Sequence, residues 1–224
     1  MSAFREWRDY FSEEIDLCGV QFPGRPGRLV ESLPVSTSQI VDALAEEVYP
    51  YYKETPVALF GHSFGALVAF EFARRLHALD ITLAHLFVSG QGAPHLPDPE
   101  PPMRHLPDER FFDELRRRYG GIPDEIVACE ELKQLFLPVL RADITLKETY
   151  GYTPGSRLKC AISAFGGRQD ASVTTDDLDA WRAQTSGAFK LRMFPGNHFF
   201  VHNERKDFLR AVAEDLNDSL REFS

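Results

Sequence analysis

The chain has 224 residues, 43% of them hydrophobic and 12% aromatic, enough for one sizeable core with at most one inserted subdomain. A formal net charge of -9 with dispersed basic residues argues against a nucleic acid partner, which needs a concentrated basic face. No apolar run approaches a membrane span, and the start MSAFREWRDYF lacks the basic and apolar segments of a secretory signal, so a cytoplasmic protein without membrane contact is expected.

Residues 15 to 22, IDLCGVQF, form an apolar, β-rich run that the PGRPGR sequence must end, which predicts a strand and then a loop. STSQIVDALAEEVYPYY offers Ser36 or Ser38 as an N-cap and sets Ile40, Leu44 and Val48 on one helical face. PVALFG (56 to 61) is the next strand, FGALVAFEFARRLHAL (64 to 79) a helix apolar around most of its circumference, and LAHLFVSG (83 to 90) another strand. Further strands are predicted at KCAISAFGG (159 to 167) and AFKLRMFPG, separated by a threonine-capped helix TTDDLDAWRAQT, with a last amphipathic helix over 204 to 222. This alternation, with nearly continuous apolar strands, implies an α/β fold with a mostly parallel sheet covered by helices on both faces.

Residues 91 to 150 interrupt the alternation with a proline-rich opening and helical patterns at 108 to 119, 123 to 129 and 130 to 150. The expected organisation is therefore a core of residues 1–94 and 151–224, with residues 95–150 as a helical lid over the carboxyl edge of the sheet, where open α/β folds bind ligands. Cys18, Cys129 and Cys160 lack metal-ligand spacing and read as reduced thiols, so no metal is expected.

The chemistry centres on FGHSFGALVAFEFARR (60 to 75). Gly-x-Ser-x-Gly is weak alone, but here it joins a strand to a buried helix, the setting in which such a serine becomes a nucleophile elbow. Gly61 and Gly65 are expected at points where a side chain would press on neighbouring structure. A serine hydroxyl is a poor nucleophile and needs a base that a carboxylate orients; in this arrangement the chain order is serine, acid, histidine. Asp170 in GGRQDASV and His198 in PGNHFF occupy the loops after the two later strands. Asp176, Asp177 and Asp179 are better explained by a helix start. His202 lies four residues past His198 and His62 sits within the elbow, while His77, His85, His95 and His105 have no supporting context.

Taken together these segments resemble the type II thioesterases that accompany polyketide and nonribosomal peptide synthases. The landmarks are VQFPGRPGR (20 to 28), ALFGHSFGALVAFEFARRL (58 to 76), LPDERFFDELRRRYGGIP (106 to 123), LPVLRADITLKETY (137 to 150), FGGRQDASV (165 to 173) and FPGNHFF (194 to 200), and the similarity runs from about Phe4 to the C-terminus. The resemblance implies an α/β-hydrolase fold, a triad of Ser63, Asp170 and His198, and residues 95 to 150 as a flexible lid. It implies hydrolysis of acyl groups from the phosphopantetheine arm of acyl or peptidyl carrier proteins by a cofactor-free enzyme, for which a monomer suffices. The Phe64 amide would be one oxyanion donor. Family members supply the second from an N-terminal loop of the form aromatic-Pro-x-Ala-Gly-Gly, and this chain starts beyond that loop. Two other readings are a general small-acyl carboxylesterase and a catalytically impaired synthase-binding protein. Arg116, Arg117 and Arg118 form a possible docking cluster for acidic carriers, against a plain helix end; Arg25 and Arg28 are a second basic pair. Phe111, Phe112, Phe136 and Tyr150 are either an acyl channel or core.

Overall fold

The computed structural model describes residues 7–52, 55–122 and 124–223. Phe4, where the resemblance begins, and Pro123, the start of one predicted helix, lie outside them. Four parallel strands, β1 (Val57–His62), β2 (Leu83–Ser89), β3 (Ala161–Gly167) and β4 (Phe189–Phe194), lie in the order β1-β2-β3-β4. Parallel neighbours need crossovers, and the helices between the strands supply them.

The alternation of side chains along each strand divides the core in two. Leu86 and Val88 of β2 and Ile162 and Ala164 of β3 pack with Ala66, Ala69, Phe70 and Ala73 of α2 (Phe64–Ala78) on one face. Phe87 and Phe165 point the other way, onto Phe208, Leu209, Val212 and Leu216 of α8 (Arg205–Leu220). Because α2 is wedged between the sheet and α1 (Thr37–Tyr52), it is apolar around most of its circumference; its other side buries Leu67, Val68, Phe72 and Leu76 against Ile40 and Val41 of α1. Ser36 accepts the Gln39 amide at the start of α1 (3.2 Å) and is the cap.

Between β2 and β3 lie α3 (Asp108–Tyr119), α4 (Asp124–Ala128) and α5 (Glu130–Glu148). α3 and α5 share a small core with Met103, made of Phe111, Phe112, Leu115, Leu137 and Ile144. The carboxylate of Glu148 accepts the amides of Met103 (2.6 Å) and Arg104 (3.1 Å), and Tyr150 Oη donates to Glu71 on α2 (2.7 Å), which ties the end of α5 to both layers. Phe111 and Phe112 are thus core, and Phe136 is exposed on α5. After β3 come the short α6 (Thr175–Asp179), with a capping box between Thr174 and Asp177, and a 3-10 turn over Ala180–Gln184. The predicted single helix there is therefore split. The short α7 (Phe200–Asn203) leads into α8.

One predicted element does not form. Residues 15 to 22 are not a strand; Leu17 and Val20 are exposed and the segment runs as irregular chain. A strand exists through a ladder to a neighbour, and the described residues offer this run no β partner. An apolar, β-branched composition does not provide one.

Candidate active site

Between the end of β1 and the first residue of α2 stands one residue, Ser63, with φ 54 and ψ -129. Such a conformation in a non-glycine residue costs about 1 to 3 kcal/mol and persists only where the surroundings impose it. Here the Ser63 amide donates to the Ser89 carbonyl (2.7 Å) and the Ser63 carbonyl accepts the Ala66 amide (2.8 Å), so the turn is pinned from both sides. The hydroxyl does not cap the helix it precedes. A Cβ on Gly61 would lie 2.0 Å from the Gly65 carbonyl oxygen and 2.6 Å from the Ala66 nitrogen, so only glycine fits. Gly65 departs from expectation: a Cβ there would meet nothing within 4 Å outside its own helix backbone and chain neighbours. The steric demand of the motif falls on its first glycine.

Asp170 follows β3 and His198 follows β4, and parallel strands bring both loops to the edge at which β1 delivers Ser63. His198 Nδ1 lies 2.8 Å from Asp170 Oδ2, with 3% and 0% of the two side chains exposed. The other carboxylate oxygen of Asp170 accepts both the amide (2.9 Å) and the hydroxyl (2.7 Å) of Ser172, whose Oγ is also 3.1 Å from His198 Nδ1. Burial works to raise the Asp170 pKa, but the hydrogen bonds from His198 and Ser172 outweigh it and hold the carboxyl below its usual range. Ser172 escaped the sequence reading. Its signal was the spacing of two residues after an aspartate, at which an Asx-turn forms.

Gly90, with φ 61, lies where two histidines converge: a Cβ there would be 2.8 Å from His62 and 3.2 Å from His198. Their rings are 4.9 Å apart. His62 Nδ1 pairs with Ser89 Oγ (3.0 Å), while its Nε2 is buried without a hydrogen-bond partner among the described residues. Burial, helped by neighbouring His198, pushes the His62 pKa down to about 3. His202 is exposed on α7 and stacks on Phe199. Asp177 caps α6, and Asp179 pairs with Arg182.

Beside this cluster opens a cavity of about 390 Å³, lined among others by Leu67, Gln91, Tyr119, Lys147, Tyr150 and Ser172. Tyr119, the last residue of α3, sets its ring 5.1 Å from that of His198. Lys147 on α5 donates to the Tyr119 hydroxyl (3.1 Å) and to Asp98 (2.7 Å). The arginine cluster is largely neutralised: Arg117 pairs with Glu114 and Glu100, and the buried Arg118 pairs with Glu114 and the Pro101 carbonyl. Arg25 pairs with Asp143 and Arg28 with Glu31.

A second serine, histidine and aspartate meet under α8. Ser163 donates to Asp215 (2.8 Å), and the two nitrogens of His85 contact Ser163 (3.0 Å) and Ser219 (2.8 Å). Lys190 (2.8 Å) and Arg192 (2.6 Å) also donate to Asp215. Ser163 and Asp215 are both 0% exposed. Among the described residues no group of three or more His, Cys, Asp or Glu could hold a metal ion, and no helix is long and apolar enough to cross a membrane.

The sequence model of the thioesterase domain matches residues 1–220. LgrE of Brevibacillus parabrevis, named linear gramicidin dehydrogenase, is 41% identical over 221 residues, 97% of this chain and 83% of that protein. Despite that name, the β1–α2 turn of this chain reads Gly-His-Ser-Phe-Gly and not the Gly-x-Gly-x-x-Gly of a dinucleotide-binding turn. The thioesterase RedJ of the prodiginine pathway in Streptomyces coelicolor superposes with a TM-score of 0.88 at 34% identity, over 96% of this chain and 85% of its own. YbtT, a type II thioesterase from the yersiniabactin pathway, does so with a TM-score of 0.82 at 31% identity, over 97% and 88%. The chain belongs to the thioesterase family, in the branch of type II thioesterases, and its fold is that of an α/β-hydrolase.

Proposed function

We propose that this chain removes acyl groups from the phosphopantetheine arm of carrier proteins, with Ser63 as nucleophile, His198 as base and Asp170 as the group that orients the base. The observation that carries the reading is the strained Ser63 elbow on the sheet edge that also bears the His198–Asp170 pair. His198 Nε2 takes the hydroxyl proton as Ser63 Oγ attacks the thioester carbonyl. The tetrahedral intermediate collapses, the carbon–sulfur bond breaks, and the imidazolium returns its proton to the departing thiolate. A water then gives its proton to the same nitrogen and attacks the acyl-serine; the bond from the carbonyl carbon to Ser63 Oγ breaks, the imidazolium returns the proton to Oγ, and the acid leaves. Asp170 stays ionised throughout and stabilises the imidazolium.

In this reading the Phe64 amide, first in α2, donates to the developing oxyanion, with the favourable end of the helix dipole behind it. Residues 95 to 150 act as the lid, with Tyr119 and Lys147 roofing the cavity next to His198. Assignment of the partner to carrier proteins rests on the relatives, which are named for linear gramicidin, prodiginine and yersiniabactin synthesis. The test is hydrolysis of a panel of acyl carrier proteins and matched oxygen esters by the wild type and Ser63→Ala. Turnover of carrier-bound thioesters that vanishes in the variant supports the reading. Preference for simple oxygen esters points instead to a general carboxylesterase, and inactivity of folded wild type to a binding protein.

A further inference from the structure

We propose that Ser172 is a positioning residue, which fixes the tautomer of His198 by presenting it with a lone pair and never with a proton. The proposal rests on His198 serving as the base. Asp170 Oδ1 takes two bonds from Ser172, one from its amide (2.9 Å) and one from its hydroxyl (2.7 Å), and Oδ2 is left for His198 Nδ1 at 2.8 Å. A serine hydroxyl has one proton. That proton is committed to Asp170, so toward His198 Nδ1, 3.1 Å away, Ser172 Oγ offers only acceptor capacity.

The consequence is selective. An Nδ1–H faces two acceptors, Asp170 Oδ2 and Ser172 Oγ, and bonds to both. A bare Nδ1 would face the same two oxygens with its own lone pair, at 2.8 and 3.1 Å, with no proton between them. The protein therefore holds the hydrogen on Nδ1 and leaves the lone pair on Nε2, the nitrogen that must take the proton of Ser63. When His198 becomes imidazolium, both acceptors remain in place. The aspartate alone could rotate to present either oxygen; the two hydrogen bonds from Ser172 prevent this.

The experiment compares wild type, Ser172→Ala, Ser172→Thr and Ser172→Cys on a short-chain acyl thioester of N-acetylcysteamine, with the downfield proton resonance of the His198 Nδ1–H recorded for each. Loss of a hydrogen bond to a charged group predicts a kcat about tenfold lower for alanine, with KM changed less than about twofold, and a displaced resonance. Threonine, which keeps the hydroxyl, restores both. Should the alanine variant not fold, cysteine takes its place, because a thiol is a poor donor; its kcat falls similarly. A kcat within about twofold of wild type in the folded variant lacking the hydroxyl overturns the proposal. So does a loss that threonine fails to repair while the resonance is unmoved, since that assigns Ser172 to packing. The catalytic reading itself fails separately, through Ser63→Ala retaining turnover.

Discussion

The molecule contains two groups of serine, histidine and aspartate with opposite properties. At the sheet edge, Ser63 sits in a strained turn with its hydroxyl uncommitted to the helix, and Asp170 gives one oxygen to His198. Under α8, Ser163 lies within β3 and its proton belongs to Asp215, so His85 can approach it only as a donor through Nε2 and must accept from Ser219 at Nδ1. His85 thus holds the tautomer opposite to that of His198. Asp215 has its charge answered by Lys190 and Arg192 and has none to spare for an imidazolium. Residue types do not make a catalytic group; the direction of each proton and the access of the hydroxyl do.

Removal of one serine from each group separates them most strongly. Ser63→Ala is expected to lower kcat on a small acyl thioester by about 10⁴-fold or more. Ser163→Ala keeps kcat within about twofold and instead loses about 1 to 3 kcal/mol of stability, read from the urea midpoint, because Asp215 loses a buried donor. Equal losses of activity would erase the distinction. Asp215→Ala leaves Lys190 and Arg192 facing a vacated site and should cost about 3 kcal/mol in the same measurement.

Acid sharpens the comparison on the histidines. Burial drives the His85 pKa down to about 4 and that of His62 to about 3, from an ordinary 6.5. Unfolded chain takes up these protons below about pH 6.5 whereas the folded state stays neutral, so stability falls as pH is lowered toward 4.5, by about 1.4 kcal/mol per unit for each histidine. Replacement of His85 by Gln should flatten that slope by one proton in denaturant titrations at pH 6 and 5; an unchanged slope contradicts the buried neutral assignment. The smallest effect is expected from Arg117→Ala. Arg117 is itself exposed, so neither thermal midpoint nor turnover of a small thioester should move measurably. A drop in turnover of that substrate would show that the charge of Arg117 itself acts on the reacting centre.

The strands, α2 and the elbow were legible because a parallel sheet leaves its mark as apolar runs, and Gly61 because its contact is local. Asp170 and His198 followed from their places after successive strands. What was hidden depended on partners distant in sequence. The run at 15 to 22 has strand composition but no ladder, Gly65 was expected to be crowded and is not, and Arg117 finds Glu100 across 17 residues. The cavity needs α5 and the 91 to 99 loop to meet, which no periodicity announces. Ser172 lay in plain view in Asp-Ala-Ser, yet its value comes from the direction of one proton.

Identification of the serine that a fluorophosphonate modifies tests the central claim most directly. Wild-type protein treated with a fluorophosphonate probe, digested and sequenced by tandem mass spectrometry, should carry one adduct on Ser63, with Ser163 and Ser172 unmodified. An adduct on either of those serines, or none in folded protein that hydrolyses thioesters, would contradict it.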